Sequence, residues 1–138
     1  MTEKDRYVAD MRELFRRMVF NILIDNTDDH EKNHALLLTD ANQYELSPAY
    51  DVLPAGQALG FQQMRIGEQD ADSTIDNALS MARLFGLTKD QAVKEARAVA
   101  KVVDTWQAHF KASGVKKRDI DMYAEQIDRE FLCTQRLH

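Results

Sequence analysis

The stretch NTDDHEKNH, Asn26 to His34, holds only side chains that can hydrogen-bond, ionise or bind a metal. Within it Asp28 and Asn33 stand five positions apart, and Asp51 follows 23 positions after Asp28, in SPAYDVLP. Three chemistries compete for these residues. Asn, Thr and Asp can simply cap backbone groups in a solvated loop. His30 and His34 have the spacing of two ligands on one helical face, with Asp25, Asp28, Asp29 and Glu31 as further donors, but the turn residues among them argue against a helix. Phosphoryl transfer asks for something else. It needs an Asp to take the proton of an attacking hydroxyl, an Asn a few residues on to hold magnesium, and a carboxylate from elsewhere to hold the metal against nucleotide phosphates. Asp28, Asn33 and Asp51 supply those groups if the chain between them folds back.

The flanking elements suggest how it could. Apolar residues at Tyr7, Met11, Leu14 and Met18, with Phe15, Val19 and Ile22 beside them, predict a helix from Glu3 to Ile24 that is more buried toward its end. Asn26-Thr27-Asp28 should stop it. Ala35 to Thr39 and Tyr44 to Ser47 read as two strands of a small hairpin, the first apolar enough to seek burial, with a turn at Asp40 to Gln43. Pro48 ends that ladder. Residues 49 to 72 read as loop with one short strand near Gln62 to Ile66. Beyond them the chain is helical: one helix from Ser73 with Ile75, Leu79, Ala82 and Phe85 inward and Gly86 as its stop. The next runs from a Thr88–Gln91 capping box through Ala92, Ala96, Val99, Val103, Trp106 and Phe110 to Ser113-Gly114. A last one spans Lys117 to Cys133. These stripes read as core, and Lys116 to Arg118 as a solvated helix start.

With 138 residues, 44% of them hydrophobic and 30% charged, the chain is expected to be one globular domain, residues 1–138. A net charge of −5 argues against direct nucleic-acid binding. The single cysteine, Cys133, rules out an intrachain disulfide and is expected to be an inert, partly buried thiol. No segment reads as a signal peptide or a membrane span, so the expectation is a soluble, cytoplasmic protein. Helix-like sequence starts almost at Met1, as in a piece cut from a longer chain.

Helix, loop with Asp and Asn, hairpin, then Asp is the order of the catalytic centre of protein kinases. NILIDNTDDHEKNHALLL followed by ELSPAYDVLP resembles the C-terminal kinase domain of the HipA family of toxin serine/threonine kinases, in its Asp-x-His-x-Lys-Asn core, its hairpin and its Pro-x-Tyr-Asp ending. MRIGE, ARLFGLTKDQA and the helix with Trp106 extend the likeness over nearly the whole chain. The resemblance implies a mainly α fold with a small β-hairpin, a protein-kinase-like C-lobe ending in an all-helical bundle. It implies Asp28 as the catalytic Asp, and Asn33 and Asp51 as ligands of Mg²⁺ and thereby of ATP. His30 and Lys32 match positions inside the catalytic loop, as supports of loop geometry or phosphate charge. Asp29 reads as solvated, and His34 and Asp25 as structural. A protein substrate, a bacterial toxin–antitoxin setting and an antitoxin of HipB type are implied as well, though the identity of the substrate is not.

A kinase also needs a glycine-rich loop and a strand lysine. The chain has no G-x-G-x-x-G, its Gly56 to Gly60 stretch follows Asp51, and only Lys4 among lysines precedes the loop. The nucleotide-clamping N-lobe is therefore expected to be missing, and the chain inactive alone. Two rivals stand beside this reading: a metal-dependent hydrolase using the Asp/His cluster, and a non-catalytic toxin–antitoxin interaction module.

Overall fold

Thr2 opens the first helix with a capping box: its hydroxyl accepts from Asp5 N at 3.1 Å, and the Asp5 carboxylate accepts from Thr2 N at 3.2 Å. Helix α1 then runs Glu3–Leu23, as the periodicity predicts. A computed structural model describes residues 2–55 and 60–138; Gly56 lies outside them. The core seam of α1 is Phe15, Val19, Ile22 and Leu23, all fully buried. Burial increases toward the end of the helix, as expected. Tyr7, placed on the apolar stripe, is instead exposed.

Two strands follow, β1 (Leu36–Leu38) and β2 (Tyr44–Leu46), antiparallel with Leu36 opposite Leu46 and Leu38 opposite Tyr44. The hairpin is where the spacing puts it, but β1 does not go into the core. Leu36 is 63% and Leu38 59% exposed. Contact with α1 is made through β2: Arg6 pairs with Glu45, the Asp10 carboxylate accepts from Leu46 N at 3.0 Å, and Arg17 donates to the Ser47 carbonyl at 2.6 Å.

The region from 60 to 72 forms only isolated bridges, Phe61 with Asp72 and Gly67 with Asp70, where a strand near Gln62 to Ile66 is expected. It is organised from outside itself. Asn77, 2% exposed, accepts from Gln69 N and donates to the carbonyls of Asp70 and Asp72. This side chain therefore supplies bonds that a ladder would otherwise supply. The backbones touch closely here, since a Cβ on Gly67 would stand 2.0 Å from the Asn77 carbonyl oxygen.

Each of the three later helical segments is interrupted once. α2 (Ile75–Ser80) gives way to a 3-10 turn at Ala82–Phe85, which Gly86 ends in the left-handed conformation. The Thr88–Gln91 box opens α3 (Lys89–Val103), but α4 (Trp106–Ala112) is separate from it. Likewise α5 (Lys117–Ile127) and α6 (Glu130–Arg136) replace one helix to Cys133. The last two breaks meet at Asp128, whose carboxylate accepts from Trp106 Nε1 (3.0 Å), Gln107 Nε2 (2.6 Å) and Arg136 Nη2 (2.9 Å). Apolar periodicity runs straight through such breaks; hydrogen bonds between distant residues decide them. Ala92, Ala96 and Ala100 line the buried face of α3, so that its backbone approaches α1 closely, while Glu95 on the same helix pairs with Arg16 at 2.6 Å. Among the described residues no helix is long and apolar enough to cross a membrane.

Burial raises the pKa of Asp128, but the bonds from Trp106, Arg136 and Gln107 and the charge of Arg136 together hold it below the usual carboxylate range. Its stabilising contribution is thus fully present above the unfolded pKa, near 4, and is lost as pH falls through the lower folded value. Asp128→Asn is expected to be less stable than wild type at neutral pH. Urea unfolding followed down to about pH 3 should show the gap closing on acidification.

Candidate functional site

The polar stretch starts inside the core. Residues 21 to 27 are all buried, so the turn after α1 must satisfy its own polar groups. Asn26 does so by bonding Asn21 twice, backbone to backbone at 2.9 Å and amide to amide at 3.0 Å. Asp25 adopts a left-handed backbone, φ 61°, and its carbonyl accepts from Thr27 N and from Ala55 N, 3.0 Å away. Its carboxylate lies 3.0 Å from Arg129 Nη2, at the start of α6, an ion pair without hydrogen-bond alignment. A solvated loop does not describe this segment.

Asp28 is the first residue to emerge, and its side chain is exposed. A 3-10 turn, Glu31–Asn33, then brings Asn33 back to it: Asn33 Nδ2 donates to the Asp28 carbonyl at 3.1 Å. Asn33 is buried, and the bond turns its amide so that the nitrogen faces the protein backbone. Its Oδ1 makes no bond among the described residues. Asp29 corrects the sequence reading. It is not solvated but 8% exposed, with Oδ1 2.8 Å from His34 Nε2. Successive residues point in opposite directions here, so Asp28 faces solvent and Asp29 the interior.

The hairpin returns Asp51 to the same place. Two tethers hold its segment: Tyr50 Oη donates to the Lys32 carbonyl at 2.6 Å, and Ala55 N donates to Asp25. Between them Asp51 is exposed with φ 55°. It lies between two clefts. One, about 750 Å³, is also lined by Asn33, Asn21, Phe20 and Val99. The other, about 250 Å³, is also lined by Asp28, Thr27 and Gln63. The structure thus brings Asp28, Asn33 and Asp51 together. His30 and Lys32 line neither cleft. His30 is half-buried, with Nδ1 unbonded among the described residues, and Lys32 is exposed and contributes its carbonyl.

This donor set can be tested against metals. Zinc asks for three or more nitrogen, sulfur or oxygen ligands from the protein. No group of three His, Cys, Asp or Glu among the described residues could hold one. Magnesium accepts one or two protein oxygens and takes the rest from phosphates and water. The free amide oxygen of Asn33 and the unpaired, exposed carboxylate of Asp51, on one cleft, fit that second pattern. Tyr50, to which the sequence alone assigns no role, sits inside the Pro-x-Tyr-Asp ending. The signal that could have found it is a phenol flanking the metal-type Asp, placed to reach the neighbouring loop.

Comparison with known proteins places the chain in a family. The family model described as the HipA-like C-terminal domain matches residues 1–107. A Sinorhizobium fredii protein described as "Putative kinase Y4dM" is 51% identical over 45 residues, which make up 33% of this chain and 11% of that protein. The aligned part of the chain therefore spans only about a tenth of the relative's length.

Tyr50→Phe removes one tether of the Asp51 segment and leaves its carbonyl partner near solvent. About 1 kcal/mol of stability should be lost in urea unfolding. The Ala55 amide, bonded across the other tether, should exchange roughly fivefold faster by hydrogen-exchange NMR if the segment opens as a unit.

Proposed function

Because the chain belongs to the HipA-like C-terminal domain family, we propose that it carries the catalytic and metal-holding half of a serine/threonine protein kinase, arranged as a kinase C-lobe. The kinase family is the setting; the assignment of roles rests on one observation, that Asp51 borders one cleft with Asn33 and another with Asp28. In this reading a Ser or Thr hydroxyl attacks the γ-phosphorus of ATP. The new O–P bond forms as the bond to the β–γ bridging oxygen breaks, ADP leaves with that electron pair, and Asp28 accepts the hydroxyl proton. Asp28 suits this role because its carboxylate is exposed while its backbone is held by Asn33. Asn33 Oδ1 and Asp51 would hold magnesium, which when bound neutralises charge on the phosphates. Tyr50 keeps Asp51 against the loop. Lys32 is left with a backbone role and His30 with support of the turn.

The sequence has no glycine-rich phosphate loop, so this reading assigns nucleotide clamping to another lobe of the full-length protein. By the same resemblance, an antitoxin of HipB type is the proposed partner. The metal-dependent hydrolase lacks a ligand cluster among the described residues.

In the full-length protein, Asp28→Asn should lower phosphoryl transfer by about a hundredfold or more while leaving nucleotide affinity close to wild type. Asp51→Asn should weaken binding of magnesium-nucleotide as well. Radiolabelled ATP transfer and nucleotide titration measure the two effects, and near-normal transfer by Asp28→Asn would remove Asp28 from the mechanism. Elemental analysis of the purified chain should find no stoichiometric zinc or manganese; finding either would favour the hydrolase.

A further inference from the structure

Asp29 and His34 have no part in the chemistry just described, yet each directly follows a residue that does. Asp29 follows Asp28, and His34 follows Asn33. Their side chains meet at 2.8 Å. This bridge spans residues 29 to 34, one position along from the span of 28 to 33 that the Asn33-to-Asp28 bond closes. A buried carboxylate is costly unless it is bonded. Among the described residues the one partner of the Asp29 carboxylate is the His34 imidazole, whose N–H donates to it. The backbone between them is a 3-10 turn of three residues, a weak element by itself. Lys32, at its top, is exposed and Glu31 too. Both members of the pair also wall the 750 Å³ cleft that Asn33 and Asp51 line.

We propose that Asp29 and His34 form a positioning clasp that keeps the Asn33 amide oxygen turned toward the cleft, where a metal would be held. This inference rests on the assignment of Asn33 and Asp51 as metal ligands. With the clasp intact, the backbone on both sides of Asn33 is anchored, and its Nδ2 stays on the Asp28 carbonyl. Without it, the turn opens at His34, Asn33 can rotate outward, and the oxygen no longer faces Asp51. Residues that orient a ligand in this way typically govern metal affinity by 10- to 100-fold.

The test is a titration of the full chain with Mn²⁺, read as paramagnetic broadening of NMR signals. In wild type, the Asn33 side-chain amide and the Asp51 backbone amide should broaden with a common midpoint. Asp29→Ala and His34→Ala should raise that midpoint about tenfold or more. His34→Gln, whose Nε2 can still donate to Asp29, should stay within about threefold of wild type. Asp29→Asn, which keeps the shape and weakens the bond, should shift the midpoint by about threefold and stands in if an alanine variant does not fold. A purely structural pair would lower the unfolding temperature and leave the midpoint of the folded protein unchanged, which overturns the clasp. Should Asp51→Ala abolish the broadening while the pair variants leave it unmoved, the clasp alone fails. Should wild type show no broadening at Asn33 and Asp51, the metal assignment fails and the clasp with it.

Discussion

Asp25 leaves α1 in a left-handed conformation while only 3% of its surface reaches solvent. Both facts are unfavourable for an Asp taken alone. A non-glycine residue in that backbone region is strained, and a buried carboxylate without a partner is costly. The surroundings compensate from three directions. Thr27 and Ala55 bond the Asp25 carbonyl, Asn26 bonds Asn21 twice, and Arg129 places its charge 3.0 Å from the carboxylate. Through these contacts one turn joins α1, the Asp51 segment and the start of α6. Removing Arg129 would leave the Asp25 carboxylate buried without a charge partner, so the turn depends on that contact.

That constraint explains why dense polar chemistry can stand between apolar segments. The apolar end of α1 is needed because the turn is buried; Phe15, Val19, Ile22 and Leu23 seat it. The leucines on the far side serve otherwise. β1 stays exposed and acts through its pairing with β2, which carries the chain back so that Tyr50 reaches Lys32. The site is thus buried on the α1 side and tethered, by single hydrogen bonds, on the Asp51 side. Among the described residues the exposed carboxylates of Asp28 and Asp51 have no ion-pair partner.

Membership in the HipA-like C-terminal domain family and this geometry are two separate kinds of information. The family match covers residues 1–107 and speaks to ancestry. The geometry speaks to which of the many polar residues can act. It leaves the carboxylates of Asp28 and Asp51 exposed at the clefts, whereas Asp25 meets Arg129 and Asp29 meets His34 within the protein, the latter pair in the wall of the larger cleft. Past the matched region, Asp128 gathers Trp106, Gln107 and Arg136 and so ties the last three helices to one carboxylate.

The order of elements was legible in the chain itself. Helix, polar turn, hairpin and a helical remainder follow from apolar spacing, capping residues and glycine stops, because those signals are local. That Asp51 would return toward the Asp28–Asn33 loop is an expectation from the order of loop, hairpin and Asp, and the clefts bear on that placement alone. What the sequence could not decide was every choice between burial and exposure at equal hydrophobicity or equal polarity. Asp28 and Asp29 are identical in type and adjacent, yet one faces solvent and the other an imidazole. Three leucines in β1 remain outside while alanines on α3 go inside. The breaks at Asp104 and Asp128 cut through intact periodicity. At Asp128 the deciding partners, Trp106 and Gln107, lie about twenty residues away, and even the nearby His34 meets Asp29 only because the turn between them is folded; only the packed tertiary structure brings such groups within bonding distance.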